Sequence, residues 1–318
     1  MKILYVSTFF HEYHNRIIDH LEKIRGAKVD RFVLEKKRLS LSLLRLLSIS
    51  AYKRARRKEY LRLLSFSESY DIIFIQSPYF IPIDILLLLK EKAEGARLIS
   101  YSWDSIKSCH EVEYFVFFDK FYSFDPYDCE KFEQLQYLPL FYTSDFFSTT
   151  SKRKVSLAFV GGIGDSSDRY SFIKSVRNQC EQNNLSNYIY PRIPLIYFIK
   201  GIFSGTYYSG VKFRSLRLKE ISEIYRNANC VVDQNNPLQK GMTMRTFEAL
   251  ASGCKLITTN ASIVNESIFD KRYISIIDRK NPVIDVEFIK QEHPMDFDYI
   301  NTLSEYNMSR WISNVFDE

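Results

Sequence analysis

The sequence predicts an α/β protein made of two doubly wound domains. Three observations lead there. Short apolar strand patterns alternate with helical ones along most of the chain. The alternation breaks once, near the middle, at a Ser-, Thr- and Lys-rich stretch from Thr143 to Lys154, and then starts again. The second half also holds a complete strand–loop–helix–glycine–strand run between Cys230 and Thr258, which reads as a parallel βαβ unit. The 318 residues are enough for two domains of about 150 each.

In the first half, Ile3–Val6 reads as a buried strand and Arg16–Lys23 as a helix. The loop between them carries His11, Glu12 and His14. A loop after the first strand of such a sheet is a natural place for chemistry, so His11 or Glu12 is a candidate general base. The plainer reading makes them surface polar residues. The loop lacks a glycine-rich dinucleotide fingerprint, which excludes NAD. Lys28–Val33 is a second strand, and Leu39–Leu64 has a helical pattern. Positions 36 to 62 carry ten Lys or Arg against one acid, Glu59. Such a basic segment, Lys36 to Arg62, suits an anionic membrane surface, although a solvated helix face explains it equally. No nucleic-acid motif accompanies it. Strands follow at Tyr70–Ile75, Arg97–Tyr101 and Phe121–Asp125, with a helix at Ile83–Lys92. Asp104 follows the fourth strand, where it is either an acceptor-binding residue, a base, or an N-cap.

The second half opens with a strand at Val155–Val160 and then Gly161-Gly162-Ile163-Gly164. A glycine turn between strand and helix lets backbone N–H groups approach phosphate oxygens, and Arg169 at the start of the next helix adds a guanidinium. No Walker lysine is present, which excludes a P-loop NTPase. Pro191–Arg214 is aromatic and gives no clear element. Lys219–Asn227 is helical and leads into the strand Cys230–Val232. A polar loop with Gln239, Lys240 and Gly241 comes next, then a helix over Thr243–Ser252 that Gly253 ends, then the strand Lys255–Thr258. Lys240, Gly241, Thr243, Arg245 and Glu248 lie at the loop and the first turns of this helix. Backbone N–H groups, a hydroxyl and two cations suit a diphosphate. Glu248, three residues after Arg245, shares its face; it is a ribose partner or, in the plainer reading, half of an exposed ion pair. Tyr273–Ile277 is a last strand, and Tyr299–Phe316 reads as a closing helix.

These residues carry a resemblance. Gln239, Gly241, Thr243, Arg245 and Glu248, followed by Lys255, Ile257, Thr258, Thr259 and Asn260, resemble the pattern Q-x-G-x-T-x-R-x-x-E then K-x-I-T-T-N. It belongs to GT-B glycosyltransferases of bacterial capsule, exopolysaccharide and lipopolysaccharide synthesis. Ser123-Phe124-Asp125, with Pro126 and Asp128, resembles the same group. A better-known signature of the fold has two glutamates eight positions apart; here the second is Glu248 and the first position is Lys240.

The resemblance implies two Rossmann-like doubly wound domains facing a central cleft. Residues 1–145 would form the acceptor domain and 146–298 the nucleotide-sugar domain, with a terminal helix in 299–318 crossing back onto the first. It implies a sugar donor held by Gly161, Gly162, Arg169, Gln239, Lys240, Gly241, Thr243, Arg245 and Glu248. His11, Glu12 or Asp104 would serve the acceptor, which is a saccharide or a lipid-linked saccharide. Other classes stay open: a GT-B-like sugar-nucleotide epimerase, or a non-catalytic module that binds a nucleotide-sugar or a membrane surface.

Composition fits this picture. Apolar residues make up 46% of the chain, so a sizeable core is available, and a net charge of +6 admits an anionic ligand without demanding one. The five cysteines are scattered, at no metal-ligand spacing, which argues against a disulfide framework or a zinc site and for a cytoplasmic protein. The apolar start is too short for a signal peptide, and no stretch reaches the length of a membrane span. Asp296-Phe297-Asp298 matches the metal-binding D-x-D of a different glycosyltransferase fold. It lies after the last expected strand and reads as a helix start, so no metal and no cofactor are expected.

Overall fold

The computed structural model describes residues 1–8, 12–34, 48–66, 68–109, 112–148, 153–164, 167–292 and 294–317. His11 and positions 36 to 47 of the basic segment lie outside the described residues. The chain divides into two compact units. Met1–Pro139 with Trp311–Glu318 form the first, and Leu140–Arg310 form the second.

The first unit is built on a six-stranded parallel sheet. Its strands are β1 (Lys2–Thr8), β2 (Lys28–Leu34), β3 (Ile72–Gln76), β4 (Arg97–Ser102), β5 (Lys120–Ser123) and β6 (Leu135–Tyr137), in the order β2-β1-β3-β4-β5-β6. β3 reads IIFIQ and is buried throughout, as a central strand covered on both faces must be. Leu4, Val6, Ile73, Ile75, Ile85, Leu86, Leu89 and Leu98 form the core on one side. On the other side, Trp311 packs on Tyr101 with ring centroids 4.9 Å apart, and Phe316 packs on Phe74 at 5.2 Å.

The second unit carries a five-stranded parallel sheet. Its strands are β7 (Val155–Gly162), β8 (Asn187–Arg192), β9 (Ala228–Asp233), β10 (Lys255–Thr258) and β11 (Ile274–Ile276), in the order β11-β10-β9-β7-β8. Each sheet therefore reverses its strand order once, between β1 and β3 in the first unit and between β7 and β9 in the second. At such a reversal the loops leaving the two neighbouring strands diverge to opposite faces and leave a crevice at their carboxyl ends.

Two strands escape the periodicity. β6 has three residues only, and β8 is an edge strand that contains Pro191, whose missing N–H an edge position tolerates. The unassigned stretch after β8 forms a helix, Leu195–Phe203, and a return to the sheet at Lys212. The expected closing helix is two helices, Phe297–Ser304 and Met308–Phe316. The break has a cause: Asn307 caps the second helix by accepting from the Arg310 N–H (2.9 Å), and Tyr142 exchanges backbone bonds with Tyr306 and Met308. Of the basic segment, Ile49–Arg62 is helical, with the Ser48 hydroxyl capping its start.

Candidate functional site

The second unit places most of the expected donor residues at its strand reversal. β7 ends in Gly161 and Gly162, and β9 ends in Asp233. The helix Met244–Ala251 begins beside them, with Thr243 at its N-cap and Gly253 closing it at a positive φ of 70°. Thr243 does not cap its own helix. Its hydroxyl donates to Asp233 Oδ2 at 2.7 Å, while Arg245 donates from Nη1 to Asp233 Oδ1 and from Nε to the Val160 carbonyl at 3.0 Å.

The plainer reading of Arg245 and Glu248 is thereby corrected. The ionic partner of Arg245 is Asp233, and Glu248 is buried, so the two are not an exposed intrahelical pair. Burial works against the Arg245 charge, but Asp233, with Tyr225 and Glu248 nearby, more than offsets it and raises the guanidinium above its ordinary range. Arg245 is a brace that joins the ends of β7 and β9 to the helix.

The loop before the helix is also held from outside. Asn235 donates to the Gln239 carbonyl (3.1 Å), and Asn260 donates to the carbonyls of Lys240 (3.0 Å) and Gly241 (3.2 Å). Thr259 in turn donates to Asn235 Oδ1 at 2.7 Å. The T-T-N at the end of β10 thus fixes the Gln239–Gly241 loop, and leaves the Lys240 side chain exposed. Lys255 plays no part in the site. It is buried in β10 and donates to the carbonyls of Phe288 and Gln291.

Two further cations converge here. Arg169, at the start of the helix after the glycine turn, donates to the Gln234 carbonyl, and its pKa falls to about 10 through burial first and then the nearby charges of Arg245 and Arg279. Arg279 donates to the Asn235 carbonyl at 2.6 Å and pairs with Asp168 at 3.0 Å. Three guanidiniums therefore gather at the carboxyl ends of parallel strands, Arg245 on Asp233, Arg169 on the Gln234 carbonyl and Arg279 on the Asn235 carbonyl.

The sequence reading overlooked Asp233, Gln234 and Arg279. Gln234 is fully buried, and neither its amide oxygen nor its nitrogen has a hydrogen-bond partner among the described residues. An unpaired buried amide is costly unless something else satisfies it. The only sequence signal for Gln234 is its place directly after an apolar strand.

In the first unit, Glu12 follows β1 and takes up a left-handed conformation, φ 72°, at the N-cap of the Tyr13–Lys23 helix, where its side chain makes no capping bond. Ser77, directly after β3, is buried and also left-handed, φ 56°. These two strained residues flank the reversal point of the first sheet, and strain of this kind collects at functional sites. Asp104 follows β4 and is half-buried. At the start of the next helix, Asp128 accepts from the Ile106 N–H at 2.7 Å. Tyr13 and Trp103, the neighbours of Glu12 and Asp104, touch at a ring-centroid distance of 5.9 Å. Asp296 of the D-x-D is the N-cap of the Phe297–Ser304 helix, accepting from the Tyr299 N–H at 2.9 Å.

No family model and no curated protein matches the sequence. Solved structures do match. The lipopolysaccharide outer core galactosyltransferase WaaB in its apo form aligns over 99% of this chain and 98% of its own, with a TM-score of 0.57 at 12% identity. A glycosyltransferase from Rickettsia africae ESF-5 aligns over 99% and 97%, with a TM-score of 0.57 at 9% identity. The chain has the GT-B fold. A putative UDP-N-acetylglucosamine 2-epimerase from Listeria monocytogenes shares it, over 99% and 94%, with a TM-score of 0.51 at 10% identity. At these identities the GT-B likeness speaks for the fold, and the chemistry has to be argued from the residues.

Proposed function

We propose that this GT-B protein is a glycosyltransferase that moves a sugar from a nucleotide-sugar to a saccharide or lipid-linked saccharide in bacterial surface polysaccharide synthesis. The observation that carries the reading is the excess of positive charge at the β7–β9 reversal. Arg245 pairs with Asp233 there, and Arg169 and Arg279 donate to the next two backbone carbonyls, beside the glycine turn and the exposed Lys240. When the donor's C1–O bond breaks, the nucleoside diphosphate departs with its negative charge. Preorganised donors aimed at that charge lower the barrier. Arg169, Arg279 and Lys240 supply them in this reading, with Gly161, Gly162 and Gly241 giving close backbone approach and Gln234 an amide for the ligand. Arg245 and Thr243 act by fixing the helix start, and Glu248 stays a candidate for the ribose. Protein cations meet the leaving charge, so neither metal nor cofactor is invoked.

On the acceptor side, Glu12 or Asp104 would take the hydroxyl proton as the acceptor oxygen attacks C1, if the anomeric centre inverts. The galactosyltransferase likeness supports a surface-polysaccharide role. Among the described residues no helix is long and apolar enough to cross a membrane, so any membrane contact is peripheral in this reading. The epimerase likeness supports a second reading, in which the same donor site works without an acceptor.

The test is a thermal-shift panel of UDP, GDP, CMP and dTDP and their sugars, with wild type and Lys240→Ala. Ligand at a hundred times its dissociation constant stabilises the native state by about 2.7 kcal/mol. A shift with one nucleotide, reduced in the variant and unchanged by a chelator, is the expected result. No shift with any nucleotide overturns the reading. Conversion of a UDP-sugar into its epimer without any acceptor selects the second reading.

A further inference from the structure

The Leu195–Phe203 helix and the chain that returns from it hold none of the residues assigned to the donor site, and they carry an unusual surface. The helix reads LIYFIKGIF, with Lys200 its one charged residue. Its inner face is covered. Tyr197 and Phe198 pack against a small core of Ile163, Tyr170, Ile193 and Tyr208. The Tyr208 ring lies so close to Gly201 that a Cβ there would come within 2.2 Å of it. The outer face is bare. Leu195 is 58% exposed, Ile196 57%, Ile199 41%, Ile202 54% and Phe203 87%, at the spacing of one helical stripe. Tyr207 and Phe213 on the return are exposed as well.

This stripe does not belong to a frayed end. The Ile193 N–H donates to the Lys212 carbonyl at 2.8 Å, and the Lys212 N–H donates to the Pro191 carbonyl at 2.9 Å. The excursion is clipped to the edge strand β8 at both ends. A contiguous apolar face of this kind on a folded protein marks a contact surface.

We propose that the outer face of the Leu195–Phe203 helix docks on an anionic lipid bilayer. Charge selects this occupant. From Asn187 to Lys219 the chain carries Arg192, Lys200, Lys212, Arg214, Arg217 and Lys219 and no acidic residue. Glu220 pairs with Arg214 and Arg217, while Lys200, in the helix, and Lys212, on the return, are both exposed. Apolar side chains in one plane with lysines at their margin match the acyl boundary and anionic headgroups of a leaflet. A second copy of this chain would set the same lysines against each other.

The described part of the basic segment is made differently. In the Ile49–Arg62 helix, Arg56 pairs with Glu59 and Arg57 with Asp84, and Leu61 is its one exposed large hydrophobic among the described residues. Among the described residues it shows charge with little exposed apolar surface. The Leu195–Phe203 helix also comes directly after β8, whose Pro191 and Arg192 pair with Gly161 and Gly162. The lipid face therefore adjoins the carboxyl end of the sheet where the donor residues gather, a placement that suits a lipid-linked acceptor if the transferase reading holds.

The experiment is flotation with vesicles of phosphatidylethanolamine and phosphatidylglycerol, against vesicles of phosphatidylcholine. Wild type is expected to float with the anionic vesicles only. Ile199→Glu/Phe203→Glu is expected to lose at least tenfold in partition while keeping the wild-type thermal midpoint. Lys200→Glu/Lys212→Glu should lose binding in part, and Arg54→Gln/Lys58→Gln should retain it. Should the first variant lower the thermal midpoint, Ile199→Ser/Phe203→Ser answers the same question. The proposal is overturned if wild type ignores anionic vesicles, or if only Arg54→Gln/Lys58→Gln loses them. It is equally overturned if wild type is a dimer that Ile199→Glu/Phe203→Glu dissolves, which makes the face a contact between copies. Nucleotide binding is read separately, so this result stands or falls apart from the transferase reading.

Discussion

The Arg245 guanidinium occupies the space in which a side chain at Gly161 would have to start. A Cβ built on Gly161 would lie 2.8 Å from Arg245 Nη2 and 3.0 Å from the Phe159 ring. Gly161 is glycine because of this approach, and the approach exists because Asp233 and the Val160 carbonyl pin the guanidinium.

Gly161→Ala is therefore expected to destabilise the protein by about 1–3 kcal/mol, the usual range for forcing an extra carbon into a packed site. Chemical denaturation gives the value. Combining it with Arg245→Lys, whose slimmer head vacates part of the space, should cost less than the sum of the two single changes. Strict additivity would show that the contact is not the cause.

The two oxygens of Asp233 hold partners of unequal weight. Its side chain is 1% exposed, and Asp233→Asn leaves the part-buried Arg245 charge without its counterion, which should cost up to about 3–5 kcal/mol. Thr243→Val removes one neutral hydroxyl bond and should cost about 1 kcal/mol. Urea midpoints of the two variants check this ranking. Equal losses would mean that the ion pair contributes little.

Gln234 separates stability from binding. Its buried amide lacks a partner among the described residues, so Gln234→Leu, close in volume, should leave the ligand-free protein as stable as wild type or about 1–2 kcal/mol more stable. The thermal shift with the preferred nucleotide should fall at the same time. A large loss of stability in the ligand-free protein would show that the amide has a structural partner.

The three buried cysteines should be inert in the native state. Burial pushes the Cys180 and Cys254 thiols up to about 11 and Cys230 to about 12. A thiol reagent at pH 8 should label none of these three until denaturant is added, because the thiolate is the reacting form. Fast labelling of any of them in the folded protein would contradict their placement in the core.

Much of this was legible along the chain. Most strands of both sheets announce themselves as short apolar runs, and Gly253 marks the end of the Met244–Ala251 helix. Short elements at sheet edges were hidden, β6 by its length and β8 by Pro191, because an edge strand needs neither full burial nor every N–H. The spacing of Arg245 and Glu248 marked one helical face, but it could not reveal that Asp233, ten or more residues upstream, is the ionic partner of Arg245. Local periodicity tells which residues share a face and says nothing about what that face meets.

The sequence by itself determined two α/β halves, the glycine turn after β7 and the polar loop ahead of the Met244–Ala251 helix. These arise from nearest-neighbour patterns of burial and backbone freedom. Only the tertiary structure decided that Arg245 braces Asp233, that Gln234 is sealed in without a partner among the described residues, and that the outer face of Leu195–Phe203 stays uncovered. All three depend on strand order. β7 and β9 are neighbours across more than sixty residues of intervening chain, and β8 is an edge, so the helix after β8 has no further strand or helix of the sheet to cover its outer side.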